Sequence, residues 1–341
     1  MKKHLWAICF SAVLLAFTAY IALDTFVIST GYAAATDMNT EMFSELRESS
    51  EPTVPTESAT QSEDSQSASN GSLSKRHKKP SSEITDENTS ENTVNNDTSP
   101  FASGENTCTT DDYTITLTEY EQYNTKIYVA DVTLSSAQYL KTAFADDTYG
   151  KNVTANTSSI AQAHDAVLAI NGDYYGVQES GYVIRNGIVY RDTASGSDVL
   201  CIYADGKMEI VSDRGYTADE LVNMGVWQAF TFGPSLIEDS AVTVDVDDEV
   251  GKAKESNPRT AIGLIDANHF VFVVSDGRTS ESEGLSLYEL ATFMQSLGVK
   301  TAYNLDGGGS STMYFNGSVV NNPTTGGSIK ERKVSDIVYI G

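Results

Sequence analysis

Hydrophobic positions along the chain follow two periods. Alternation of apolar and polar residues, rich in β-branched side chains, marks 113–120 (YTITLTEY), 126–134 (KIYVADVTL), 181–190 (GYVIRNGIVY) and 198–211 (DVLCIYADGKMEIV) as strands. The glycines of RNG and ADG stand where a tight hairpin turn takes positive φ. Two near-continuous apolar runs, AVLAI (166–170) and HFVFVVS (269–275), read as central strands covered on both faces. Helical spacing is rarer. In SLYELATFMQSLG (286–298), Leu287, Leu290, Met294 and Leu297 recur three and four apart, with Ser286 as N-cap and Gly298 as stop. Segments 157–166 and 217–225 are shorter helical candidates. Strands outnumber helices, and hairpins mix with strand–helix–strand units. The pattern predicts an α+β (mixed α/β) single domain on a largely mixed sheet with a few helices. No internal repeat is visible in the sequence.

Ahead of that domain the pattern changes twice. Residues 5–23 (LWAICFSAVLLAFTAYIAL) carry no charge and follow MKKH. At ~1.5 Å per residue they are long enough for the hydrocarbon core of a bilayer. An uncleaved signal anchor over 1–35 is the expectation, with Lys2 and Lys3 in the cytoplasm and the rest outside. The rival is a signal peptide cleaved after AAA (33–35), leaving a secreted protein. Residues 36–110 are rich in Ser, Thr, Glu and Asn and poor in large apolar residues. Such a stretch cannot offset its ordering entropy, which predicts a disordered linker. Its basic knot KRHKK (75–79) reads as a solvated charge run rather than a polyanion site. The folded domain is expected over 111–341.

Composition narrows the function classes. The 341 residues include 47 acidic and 22 basic side chains, a formal charge of −25, which argues against nucleic-acid binding. An anionic substrate is still compatible, because net charge fades beyond a Debye length of ~8 Å, but it needs local arginines. Of three cysteines, Cys9 lies in the apolar segment; Cys108 and Cys201 fit either a disulfide outside the cell or two thiols. No CxxC or Cys/His cluster indicates a zinc or redox site.

Four polar segments border the most apolar strands: AINGDYYG (169–176), NPRTAIGL (257–264), VSDGRTSE (274–281) and NLDGGGSSTM (304–313). Strand ends beside a buried sheet hold side chains still, so ligands and catalytic groups collect there. Together they offer Asn171, Asp173, Arg259, Asp276, Arg278, Asn304, Asp306 and the hydroxyls of Ser310, Ser311 and Thr312. NGD and SDG alone are ordinary turn chemistry, and Tyr174 and Tyr175 read as packing. The run Gly307, Gly308, Gly309 is harder to dismiss. Three glycines lose unusual entropy on folding and pack nothing, so the backbone there needs positive φ or very close approach. Its amides, with the following hydroxyls, suit an anion cradle. It is neither a Walker A loop nor an EF-hand.

In this order NGDYY, RTAIG, SDGR and, above all, NLDGGGSSTM resemble the phosphodiester glycosidase family, over about 165–341 with 111–164 as a leading portion. The resemblance implies a hydrolase that cleaves the glycosidic bond of a sugar-1-phosphodiester. Bacterial relatives are anchored or secreted and associated with exopolysaccharide. Asp306 is then expected as the main carboxylate, Asp173 as the second and Asp276 as reserve. Arg259 and Arg278 would hold the phosphate, Gly307–Gly309, Ser310 and Ser311 would complete its cradle, and Asn171 and Asn304 would fix sugar hydroxyls or orient the acids. No cofactor is required, although the acids and asparagines are oxygen ligands suited to Ca²⁺ or Mg²⁺. None of the four histidines looks catalytic. Expected partners are a sugar-phosphate or glycan substrate and the membrane, with no nucleic acid. The competing class is a non-catalytic glycan- or polyanion-binding accessory protein in exopolysaccharide assembly or export. A structural surface protein on a stalk would explain the linker but not the glycine turn.

Overall fold

The computed structural model describes residues 5–34, 41–45, 106–246 and 256–341. Lys2, Lys3, the KRHKK knot and most of the expected linker lie outside the described residues. Three antiparallel sheets carry the fold. The largest has the order β14-β13-β17-β15-β16-β4-β3-β2. Its strands are β2 (Thr107–Thr109), β3 (Tyr113–Gln122), β4 (Thr125–Leu134), β13 (Ser235–Glu238), β14 (Ala241–Val242), β15 (Thr260–Asp266), β16 (His269–Ser275) and β17 (Thr301–Asn304). The second, β11-β10-β12-β8-β9, is built from β8 (Val183–Arg185), β9 (Ile188–Arg191), β10 (Asp198–Tyr203), β11 (Met208–Ser212) and β12 (Val226–Phe230). The third, β19-β18-β7-β22-β5, joins β5 (Lys141–Phe144), β7 (Leu168–Asn171), β18 (Met313–Phe315), β19 (Ser318–Val319) and β22 (Asp336–Ile340). Two-residue ladders pair β1 (Thr30–Gly31) with β6 (Gly150–Lys151), and β20 (Thr324–Thr325) with β21 (Ser328–Ile329).

The predicted strands and hairpins form as the alternation requires. Asn186 and Gly187 both take positive φ in the β8–β9 turn, as that hairpin demands. The sheet is not mixed, however: no parallel pair occurs among the described strands. Strand–helix–strand units are nonetheless present, and in each the helix links two strands that flank a third. Helix α3 (Thr157–Ala163) lies between β5 and β7 in the chain, which sandwich β22. Helix α4 (Ala218–Asn223) joins β11 to β12 around β10, and α5 (Leu287–Ser296) joins β16 to β17 around β15. The two strands of each unit run parallel but never touch. The last two units share one plan, a hairpin followed by a helix and a strand added to the hairpin's first strand.

Each sheet turns one face inward and lays one helix on the other. Ile115, Val132, Phe270 and Phe272 of the large sheet meet Leu200 and Phe230 of the second and Leu168, Ile170 and Val338 of the third in one core. Outside, α5 packs Leu287, Leu290, Ala291 and Met294 on Val271 and Val273. Its Ser286 hydroxyl and Glu289 carboxylate form a reciprocal capping box, as do Thr217 and Glu220 at α4. The common core holds the inner strand ends rigid, and these ends carry the polar segments.

Two features of the amino-terminal part bear on the expected anchor and linker. Helix α1 (Leu5–Phe26) occupies the expected anchor, but its side chains are described only over 10–24, and no helix among the described residues is long and apolar enough to cross a membrane. The following chain is not remote from the domain: β1 pairs with β6, and Phe43, in the short helix α2 (41–45), is buried edge-on against Trp227. At the other end of the expected linker, β2 already belongs to the large sheet, ahead of residue 111. Cys108 and Cys201 are free thiols, the second buried in β10 with its pKa pushed up to about 12 by burial.

Candidate active site

All four polar segments converge: Asn171 at the end of β7 joins three of them, and Ser275 and Asp276 tie in the fourth. The Asn171 amide donates to the backbone carbonyl of Asp306 at 2.6 Å, while its carbonyl accepts from the Thr260 hydroxyl at 2.8 Å and the Thr312 amide at 3.3 Å. Asn171 is fully buried, so its role is to lock the loops together rather than to touch a sugar. Asn304, also buried, donates to the carbonyl of Gly233 and serves the same purpose one strand away.

The three glycines have three separate causes. Gly308 takes φ +64°, the left-handed region that side chains avoid. A Cβ on Gly307 would lie 2.9 Å from the Pro258 carbonyl, and one on Gly309 2.3 Å from the Thr325 hydroxyl. An arginine stands beside each position: the Arg259 backbone at Gly307, the Arg278 guanidinium 3.0 Å from a Cβ at Gly308, and Arg332 at Gly309. The bend is glycine because loops and guanidinium groups crowd it. The expected anion cradle is partly closed by the loop's own bonds. The Gly308 amide donates to Pro258, and those of Ser310 and Ser311 close a 3₁₀ turn. Ser310 accepts from Arg332, and Ser311 is wholly buried. Positive charge at the bend comes from side chains.

Asp306 projects from that bend. Arg332 Nη2 donates to both of its carboxylate oxygens, at 2.9 and 2.8 Å, and to the Gly307 carbonyl. Burial raises the Asp306 pKa, and the Arg332 charge opposes it. Asp276 is likewise raised by burial, against hydrogen bonds from Asn322, Asn321 and Tyr128. Asn321 also donates to the Ser311 carbonyl, tying Asp276 to the glycine bend. Arg259 is buried, and its pKa is pushed down to about 10, first by burial and then by repulsion from Arg278. Arg278 itself holds positive φ and donates to the Asn257 side chain. Two like charges placed together favour an anion between them.

Asp173 departs from its expected role. It is not an open second carboxylate: one oxygen accepts from Arg185 Nη2 at 2.8 Å and the Tyr175 amide, the other from the Thr231 amide. Arg185 reaches Asp336 as well, Nε to carboxylate at 2.8 Å, and donates to the Ala229 carbonyl. All three charged side chains are at most 1% exposed. Burial, with repulsion from Asp173, raises the Asp336 pKa despite Arg185. Gly172 makes the packing possible, since a Cβ there would lie 2.2 Å from Asp336. Of the two tyrosines, Tyr175 packs as expected, whereas Tyr174 is exposed.

Arg185, Arg332, Asp336 and Asn321 were absent from the expected set. An arginine at an apolar position of the strand-like VIRNG was a readable signal for Arg185; the charge run KERK concealed Arg332. Among the described residues, no three His, Cys, Asp or Glu side chains gather as a metal site.

The family model for phosphodiester glycosidases matches residues 164–341. The human N-acetylglucosamine-1-phosphodiester alpha-N-acetylglucosaminidase is 30% identical over 186 residues, 50% of this chain and 36% of the relative. A SPbeta prophage-derived uncharacterized protein YomE of Bacillus subtilis is 30% identical over 200 residues, 56% of this chain and 30% of the relative. The chain thus spans only about a third of the length of these two. Among solved structures, the zebrafish N-acetylglucosamine-1-phosphodiester alpha-N-acetylglucosaminidase catalytic domain, auto-inhibited by its pro-peptide, superposes with a TM-score of 0.53 at 19% identity, covering 67% of this chain and 82% of that one. A hypothetical protein from Synechocystis gives 0.54 at 15% identity over 68% and 62%. These two likenesses establish the fold.

Proposed function

The chain belongs to the phosphodiester glycosidase family, and from that premise we propose that it hydrolyses the glycosidic bond of a sugar-1-phosphodiester, releasing free sugar and a phosphomonoester. The observation that carries this reading is the pairing, at one glycine bend, of a carboxylate with three arginines. A phosphate leaving group is already a stable anion with a second pKa near 6, so it needs little proton donation. The site instead has to stabilise charge on the phosphate and on the sugar carbon. Arg278 and Arg332, with Arg259 behind them, supply the first. Asp306 supplies the second, and its raised pKa leaves it ionised only above the ordinary aspartate range. Asp173 and Asp276 act as positioning residues. The Asp173–Arg185–Asp336 network fixes the 172–179 loop, and Asp276 fixes the 321–322 turn against the bend.

The human relative's name makes an N-acetylglucosamine 1-phosphodiester the first substrate to test; a cell-envelope or exopolysaccharide glycan bearing that linkage is the wider class. Purified protein should release sugar from such a diester, and Asp306→Asn should abolish release while the fold is retained. A stably folded wild-type protein inert towards a panel of sugar phosphodiesters would leave the non-catalytic glycan-binding reading in its place. We also propose that residues 5–23 hold the domain at the outer face of a membrane. Recovery of the full chain in the soluble fraction of its host would refute that placement.

A further inference from the structure

A second polar pocket, of about 90 Å³, lies between the 172–179 loop, β6 and β9, with Tyr32 of the amino-terminal segment as one wall. One water needs only about 10–15 Å³ of such space, so the pocket admits several waters or one tetrahedral oxyanion. Two buried donors that line it have no acceptor among the described residues: the Tyr175 hydroxyl, on a residue 2% exposed, and Arg191 Nη2. Arg191 cannot swing away to find one. Its Nε holds the Gly181 carbonyl, and its Nη1 holds those of Tyr175 and Gln178. Lys151 stands at the rim, 3.4 Å from Glu179 and 3.8 Å from Asp24. Glu179 is the one acid lining the pocket, and it is engaged by that lysine. Burial raises the Tyr149 phenol, with Arg191 and Arg185 pulling it down and Asp173 pushing it up; the Tyr175 phenol is raised by burial and by Asp336, against Arg185.

The wall formed by the amino-terminal segment is specific. Tyr32 donates its amide to the Tyr149 carbonyl at 2.7 Å, and their rings lie 5.9 Å apart. A Cβ on Gly150 would fall 2.0 Å from the Thr30 carbonyl, although Gly150 needs no positive φ. Glycine at this position is explained by the approach of the segment alone.

We propose that this pocket is a second binding site, for a small oxyanion of phosphate size. The Tyr175 hydroxyl and the Arg191 guanidinium hold the ligand, and its presence fastens residues 30–32 to the domain. Two orphaned donors, one of them on a guanidinium, favour an anionic acceptor over neutral water, because the bond to the arginine is then charged at both ends. Because the bound ion requires the closed wall, ligand binding and segment docking are linked. The site stands apart from the Asp306 bend and does not depend on the hydrolytic reading.

The test is hydrogen exchange on the full chain with inorganic phosphate, paired with calorimetric titration. Phosphate should slow exchange of the Tyr32 amide severalfold, and Asp306→Asn should show the same slowing. Tyr175→Phe, which removes only a hydroxyl, should abolish the slowing and weaken one phosphate-binding event about tenfold or more, leaving any binding at the Asp306 bend unchanged, as expected for loss of a bond to a charged partner. The proposal fails if phosphate leaves Tyr32 exchange unchanged, if Tyr175→Phe binds phosphate as the wild type does, or if phosphate-soaked crystals show only water there.

Discussion

Two guanidinium–carboxylate clusters sit at neighbouring loops and have opposite fates. Arg185 lies between Asp173 and Asp336 with all three side chains sealed from water, whereas Arg332 meets Asp306 with side-chain exposures of 41% and 11%. The hydrogen-bond lengths are alike, near 2.8 Å. What differs is the alternative open to each group. A sealed charge that loses its partner has no water to replace it, so the cluster behaves as part of the scaffold. A charge at the rim can exchange its partner for solvent or ligand at small cost. Proximity of opposite charges therefore does not identify a catalytic pair; access does.

Breaking the sealed cluster should have the largest effect. Arg185→Met leaves two buried carboxylates uncompensated and is expected to destabilise by about 3–5 kcal/mol, read by denaturant unfolding. Soluble, cooperatively folding protein of wild-type stability would erase the contrast between the clusters. At the more accessible cluster, Asp306→Asn should lower kcat by about 10³-fold, within the range for a carboxylate engaged in the transition state, while costing less stability than Arg185→Met. A smaller change is expected for Arg278→Gln, which should raise KM about tenfold with kcat less affected, as for loss of a charged hydrogen bond to phosphate. Equal losses in both constants would assign Arg278 to the transition state instead.

The smallest effect is in the pH response. Asp306 and Asp276 keep their protons in the folded state to higher pH than the ordinary aspartate value of 3.8. The folded state therefore binds more protons than the unfolded one in that window, and stability should fall as pH rises from 3.8 through the raised values. Activity carried by ionised Asp306 should move the opposite way, with an acid limb of kcat/KM lying above pH 3.8. An acid limb at or below that value would show that the reacting carboxylate is a solvated one.

Much of the scaffold was legible in the sequence because strands advertise themselves locally. The alternation at 113–120 and the turn at Asn186 and Gly187 need no knowledge of the rest of the chain. The convergence of four polar segments followed from their shared place at the ends of apolar strands. Pair chemistry was less legible. Asp173 sits in a turn motif that reads the same whether its carboxylate is open or sealed, and its partners Arg185 and Thr231 lie in other strands. Arg332 gains its meaning only by meeting a carboxylate 26 positions away across a turn. Sheet direction failed for a related reason. A helix between two strands implies that they run the same way, but whether they touch depends on a third strand, and in each unit one intervenes.

That intervening strand has a further consequence in the third sheet. Strand β22 closes the gap between β5 and β7, and it also brings the second carboxylate to an arginine 151 positions earlier. During synthesis, β5, β7 and Arg185 leave the ribosome long before their shared keystone exists. Contacts of such long separation form slowly, and until then open strand edges and a guanidinium held by Asp173 alone are exposed together. The third sheet can therefore close only once Asp336–Ile340 has been made.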